Sequence, residues 1–206
     1  MALRRKSMLG LGSPDKSDGN ADDGGRKRRA FVEHFEQPKQ RGRRIADGDN
    51  SSVEMLAALL RQGKSVGLLA EGDPFFYGSF MHMWRRLEAI FPLEVVPGVT
   101  GMSGCWTRAN APITWGNDIL SVLPGTLGEE QLTRRLVETD AAVIMKVGKN
   151  LAKVRRAVEA AGLLSRALYV ERGTMRGEQI MPLSECPDGN GPYFSMVLIP
   201  GQGRRL

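Results

Sequence analysis

The sequence predicts an α/β protein built as two α/β halves with a ligand cleft between them. Short apolar, β-branched runs alternate with stretches of helical spacing. Two of those runs, 66–70 and 93–96, stop at turns rich in glycine and proline. From residue 119 the alternation starts again after a stretch, 110–118, that reads as a linker. The expected organisation is an atypical segment 1–50, a first α/β half 51–114 and a second α/β half 115–206.

Residues 1–50 differ from the rest. They are rich in Gly, Asp, Lys and Arg, show no sustained period, and are expected to be largely disordered or loosely attached. The clusters 26–29 and 41–44 are basic enough to touch phosphate, but no aromatic platform accompanies them, so a solvated tail is the simpler reading and nucleic acid is not an expected partner.

Ordered elements begin near residue 51. Ser52 caps a helix whose apolar face holds Val53, Leu56, Ala57, Leu59 and Leu60, and Gly63 ends it. The run 66–70 reads as a strand buried on both faces, cut off by Gly72, Asp73 and Pro74. Gly72 permits a turn, Asp73 suits the cap of a following helix, and Pro74 suits its first turn. Helical spacing returns over 80–90, with Phe80, Met83, Trp84, Leu87 and Ile90 inward and Arg85, Arg86 and Glu88 outward. His82 falls in that core-like helix.

A second strand, 93–96, runs into a turn over 97–104, and a helix follows over 103–109. Strand, helix and strand then form a βαβ unit with right-handed crossover, so both turns open on one edge. Thr100 and Ser103 place hydroxyls at the start of that helix, where backbone N–H groups favour a carboxylate or ribose, although both would serve equally as plain caps.

In the second half, strands are expected at 119–123, 141–145, 168–170 and 193–199, with helices at 127–137 and 151–161, the latter closed by Gly162. The turns 146–150 and 171–177 follow two of these strands.

Composition excludes little. A chain of 206 residues buries a real core, and its net charge of +6 fits an acidic ligand, although part of the excess lies in the first 50 residues. Cys105 and Cys186 lack metal or redox spacing and read as reduced structural thiols, no metal site is expected, and no run is long and apolar enough for a membrane span or signal peptide. A cytoplasmic protein is expected.

The segments 70–80, 94–103, 142–149 and 169–175, together with Pro192-Tyr-Phe-Ser-Met196, resemble the tetrapyrrole methylase family, closest to its branch that methylates precorrin-2 at C20 in cobalamin synthesis. The resemblance covers roughly residues 52–206. It implies two α/β domains holding S-adenosylmethionine (SAM) between them, usually in a homodimer, and an acidic tetrapyrrole substrate. It further implies that Gly72, Asp73, Pro74 and Tyr77 border the cofactor. Thr100, Met102 and Ser103 would touch its methionine or adenosine part, and Met145, Lys146, Val147, Gly173 and Thr174 would close over it. Arg108, Lys146 and Lys149 are candidates for the substrate's carboxylates. No residue is singled out as catalytic, because the sulfonium leaves readily and positioning carries the reaction.

The family's first strand and glycine loop have no full counterpart in residues 1–50, where only Gly10–Asp15 echoes the loop. The first domain is therefore expected to be incomplete, with a misplaced start or shifted reading frame as the expected cause. An RNA methyltransferase on the same scaffold and an inactive remnant remain open as alternatives.

Overall fold

The computed structural model describes residues 50–203, without the side chains of Asn50 and Ser51. The readings made for residues 1–49 lie outside the described residues. All described residues fall in one unit, residues 44–206.

The elements, in order, are α1 (Asn50–Arg61), α2 (Phe80–Leu87), α3 (Gly101–Arg108), β1 (Leu120–Pro124), α4 (Glu129–Val137), β2 (Ala141–Met145), α5 (Leu151–Ala160), β3 (Leu168–Glu171), β4 (Gln179–Pro182) and β5 (Ser195–Ile199). Single 3-10 turns occur at Gly148–Asn150, Leu164–Arg166 and Leu183–Glu185. The five strands form one mixed sheet in the order β1-β2-β5-β3-β4. β1 and β2 are parallel, with Leu120 opposite Ala141 and Pro124 opposite Met145, whereas β5 runs antiparallel to both β2 and β3.

Alternation along the strands sorts the core into two layers. Ala142, Ile144, Tyr169, Val197 and Ile199 pack with Leu132 and Leu136 of α4 and with Leu151, Val154, Ala157 and Val158 of α5. Val143, Val170 and Leu198 point the other way, onto Cys105 of α3, with Met102 and Trp106 partly buried beside them. Leu132, Leu136, Ile144, Leu198 and Ile199 are completely buried, each contributing about 1.5–3 kcal/mol of apolar transfer. Helix α4 also has charges suited to its dipole, with Glu129 and Glu130 in its first turn and Arg134 and Arg135 in its last. Gly162 ends α5 at φ 72°, as its position predicts.

The first half is smaller. Leu56 and Ala57 of α1 pack on Met83 and Leu87 of α2, with Val53, Leu68, Phe80 and Phe91 partly buried around them. Two expectations fail here. The runs 66–70 and 93–96 are not strands, so the predicted βαβ unit is absent from the described residues. Their apolar composition is that of buried strands, but a strand exists only through a ladder partner, and neither run is paired among the described residues. Leu69 and Val96 are accordingly 81% and 72% exposed.

Three smaller corrections follow. No helix starts directly after Asp73; a turn closes there, with the Phe76 N–H donating to the Asp73 carbonyl. Helix α2 stops at Leu87, where the Ile90 and Phe91 N–H groups both turn back to the Leu87 carbonyl, leaving Ile90 exposed rather than inward. His82 is exposed, not part of a core.

Candidate functional site

β1, β2 and β3 run in one direction, since β2 and β3 are both antiparallel to β5. Their carboxyl ends therefore share one sheet edge, the edge at which open α/β sheets bind ligands. The turn 146–150, the loop 172–178 and the start of β5 all lie there.

The two glycine corners of the first half meet. The Asp73 carboxylate accepts the Phe75 N–H at 2.9 Å through Oδ1 and the Gly98 N–H at 3.1 Å through Oδ2, fastening the turn after residue 70 to the turn after residue 96. Contact at Gly98 is backbone to backbone. A Cβ there would overlap the Gly72 carbonyl oxygen and lie 2.8 Å from its carbon, so only glycine fits. Gly72 itself is left-handed at φ 79°. The expected meeting of the two corners is thus present, although no strands lead into them.

Helix α3 starts directly after the second corner. Thr100 is extended at its N-cap, and no side chain caps the helix. The Ser103 hydroxyl donates to the Thr100 carbonyl at 2.8 Å, and the Thr100 hydroxyl donates to the Ser103 oxygen at 3.3 Å. Both hydroxyls are thus turned on each other, and the first N–H groups of α3 have no side-chain partner. Open space lies beyond Gly101, where an added Cβ meets nothing within 4 Å.

The second half reaches these corners at two places. Lys146 Nζ sits 5.0 Å from the centroid of the Tyr77 ring. On the other side, a Cβ on Gly104 would meet Thr174 Cγ2 at 3.0 Å, and one on Gly173 would run into Cys105 Sγ. Tyr77, Lys146 and Thr174 are three of the five described non-glycine residues with positive φ, at 54°, 55° and 67°. Such backbone costs about 1–3 kcal/mol per residue and persists where surrounding structure enforces it, often at ligand sites.

The remaining predicted residues divide. Met145 is partly buried in the α3-side core, and Lys149 is exposed in the turn after β2. Val147 is fully buried on the α4 and α5 side, so only its backbone faces the edge. Arg108, its side chain 58% exposed, pairs with Glu178, its Nε and Nη2 reaching Glu178 Oε1 at 2.9 and 2.6 Å.

Sequence reading missed several residues that hold this edge. Glu178 also accepts the Thr174 N–H at 2.6 Å, and Arg108 together with that N–H holds its carboxyl below the usual carboxylate range. Ser195 Oγ accepts the Gly148 N–H at 3.3 Å and donates to the Pro192 carbonyl at 2.7 Å, while the Gly191 N–H donates to the Gly148 carbonyl at 3.0 Å. Tyr169 Oη donates to Glu171 at 3.3 Å, and burial pushes the phenol up to about 12. Cys105 is pushed up to about 11, by burial first and Glu178 second, and stays a neutral thiol. The Arg108–Glu178, Gly148–Ser195 and Gly191–Gly148 contacts cross long sequence separations, with no local spacing to announce them.

The arrangement fits a small ligand with one acidic end. Two glycine corners meet backbone to backbone, α3 starts without a side-chain cap, and Lys146 and Lys149 supply positive charge nearby. Among the described residues there is no group of three metal-binding side chains, and no helix is long and apolar enough to cross a membrane.

Comparison with known proteins agrees with this layout. The chain is 56% identical over 157 residues to a Sinorhizobium protein named precorrin-2 C(20)-methyltransferase, covering 76% of this chain and 64% of that relative. It is 32% identical over 155 residues to the cobalt-precorrin-2 C(20)-methyltransferase of Salmonella typhimurium, covering 74% of this chain and 65% of that protein. The chain thus spans about two thirds of the length of these relatives. Among solved structures, a cobalt precorrin-4 methyltransferase, CbiF, superposes with a TM-score of 0.61 at 23% identity, covering 72% of this chain and 69% of that one. A Thermus thermophilus uroporphyrin-III C-methyltransferase, solved with S-adenosylhomocysteine, superposes with a TM-score of 0.55 at 22% identity over 72% of this chain and 71% of that one. The family profile described as Tetrapyrrole (Corrin/Porphyrin) Methylases matches residues 9–186, a span that takes in the glycine loop echo at Gly10–Asp15. The chain belongs to the tetrapyrrole methylase family.

Proposed function

We propose that the protein methylates precorrin-2 at C20, giving precorrin-3A in cobalamin synthesis, with SAM as methyl donor. The observation that carries this reading is the backbone contact between Gly72 and Gly98, fastened by Asp73, beside the uncapped start of α3. The names of the relatives described above support the choice of substrate. In this reading the cleft lies between residues 51–114 and residues 115–206, the enzyme is a cytoplasmic homodimer, and Gly72, Asp73, Pro74, Tyr77, Thr100, Met102, Ser103, Met145, Lys146, Gly173 and Thr174 line the cofactor, with Val147 contributing backbone alone.

When bound, SAM supplies a methyl group on a sulfonium, a leaving group that needs no proton. The chain's task is therefore placement, which is worth several kcal/mol of barrier when the reacting carbon is held in line. The α3 N–H groups and the corner backbone hold the acidic end of the donor. Lys146 and Lys149 hold carboxylates of the tetrapyrrole. Arg108 is withdrawn from that role by its pairing with Glu178.

The test is incubation of the purified chain with SAM and precorrin-2, read by mass spectrometry for one added methyl and by the position of the new carbon signal. Binding of S-adenosylhomocysteine without any methylated tetrapyrrole would retain the pocket and overturn the substrate. Methyl transfer to ribosomal RNA instead would move the protein to the other methyltransferase class.

A further inference from the structure

Glu178 sits where helix α3 meets the loop after β3. Its side chain is only 16% exposed. One face takes the Arg108 guanidinium in a forked contact, with Nε at 2.9 and 3.0 Å from the two carboxylate oxygens and Nη2 at 2.6 Å from Oε1. Oε2 also takes the Thr174 N–H at 2.6 Å. Arg108 is the last residue of α3, whereas Thr174 is in the loop after β3. One carboxylate therefore ties a helix to a loop from the other half of the chain.

The loop needs that tie. Thr174 is β-branched and left-handed at φ 67°, a combination that costs energy unless something holds it. The N–H of that same residue is the one Glu178 accepts, and a charged acceptor makes this bond roughly twice as strong as a neutral one. Held this way, Thr174 brings Cγ2 against the Gly104 position, one turn into α3, and Gly173 backs onto Cys105. Both meetings require the small residues present. A side chain at Gly173 would run into Cys105, and one at Gly104 would crowd the Thr174 methyl. The left-handed threonine, the two glycines and the forked ion pair together fix how far the loop stands from the helix whose first turn carries Thr100, Met102 and Ser103.

We propose that Glu178 is a positioning residue for the donor pocket, using Arg108 and the Thr174 N–H to set the distance between the 172–178 loop and α3. This rests on the donor-site reading above. Arg108 then serves the reaction from behind the pocket rather than by touching substrate. The forked geometry matters, since guanidinium and carboxylate match edge to edge and a lysine at 108 would supply charge without the fork.

The test uses the full chain and S-adenosylhomocysteine as probe. Calorimetric affinity is measured for wild type, Glu178→Gln, Arg108→Lys and the double variant, alongside thermal midpoints and the Thr174 amide proton shift and exchange rate by NMR. The expected result is about a tenfold weaker affinity in Glu178→Gln, a similar loss in Arg108→Lys, and no further loss when both are combined. The Thr174 amide should move upfield and exchange faster in Glu178→Gln without ligand. In turnover, KM for the donor should rise while kcat changes little. Unchanged affinity in both single variants, with wild type binding normally, would overturn the positioning role and leave the donor site standing. A midpoint drop with intact affinity would do the same, since it marks a purely structural brace. If Glu178→Gln does not fold, Arg108→Lys carries the test alone. Absence of binding by wild type would remove the donor site and this role together.

Discussion

Lys146 and Tyr77 face each other across the candidate site, cation over ring at 5.0 Å, each from a left-handed backbone and each from a different half of the chain. Both are exposed, so the contact is worth about 0.5–1 kcal/mol. A double-mutant cycle with Lys146→Ala and Tyr77→Ala, read in S-adenosylhomocysteine affinity, is expected to give a coupling of about that size. A coupling of zero would mean the pair closes nothing. Lys146→Gly should leave thermal stability unchanged or raised, since glycine relieves the left-handed cost of about 1–2 kcal/mol.

Gly98→Ala forces a methyl onto the Gly72 carbonyl, a neighbour that is backbone and cannot rotate away. A loss of about 1–3 kcal/mol in denaturant midpoint stability is expected, with donor binding abolished. Normal binding by this variant would show that the corners do not form the pocket.

Asp73→Asn keeps one acceptor oxygen but turns an NH2 donor towards the other of the Phe75 and Gly98 N–H groups, and Asp73→Ala removes both bonds. Hydrogen bonds to a charged group are worth about 1.5–3 kcal/mol, fewer where solvent competes. The alanine variant should therefore lose more affinity than the asparagine variant in the same calorimetric assay. Equal losses would show that one acceptor oxygen alone holds nothing and that both bonds are needed together.

Cys105 and Cys186 are both buried and free. With its thiol pushed up to about 11, Cys105 holds almost no thiolate at pH 8 and should resist iodoacetamide until the protein unfolds. The same shift fixes a sign for stability. The group binds its proton more tightly when folded, so its contribution is complete below about pH 9 and is lost as pH rises towards 11. Glu178 works in the opposite direction, since its lowered pKa gives stability above the usual carboxylate range that disappears on acidification. Chemical denaturation as a function of pH should show both arms, and Glu178→Gln should shrink the acid arm, to which Glu129 also contributes, while easing the alkaline one slightly because Glu178 is the second cause raising Cys105.

Leu136→Ala opens a cavity under α4, where Leu136 is completely buried against the sheet. A cost of about 2–5 kcal/mol is expected in equilibrium unfolding, with no selective effect on donor affinity.

How much of this was readable depended on where each element gets its support. Residues 141–145 are apolar throughout, and the strand covers those five residues, Ala141–Met145. Likewise α5 follows its apolar stripe and its closing Gly162. Local pattern and tertiary burial agree there. At Leu69 and Val96 they part, because the pattern describes a face that wants covering but not whether a partner arrives. β4 went unseen for the reverse reason. Its four residues, Gln179 to Pro182, are mixed in polarity, end in proline and, among the described residues, pair on one side only, so the ladder with β3 makes them a strand. Within the site, the glycine corners were legible because steric need leaves a compositional mark. Glu178 and Ser195 were not, because a carboxylate meeting a distant guanidinium or a hydroxyl reaching a distant backbone leaves none.

The strand order bears on how the protein is made. β5, residues 195–199, is the last of the five described strands yet stands in the middle of the sheet, between β2 and β3. While a ribosome is still adding residues, the β1-β2 pair and the β3-β4 hairpin can form but have nothing to join them. Arrival of β5 would then be the step that joins two nascent pieces into one sheet, and a nascent chain stalled before Ser195 should remain open to protease.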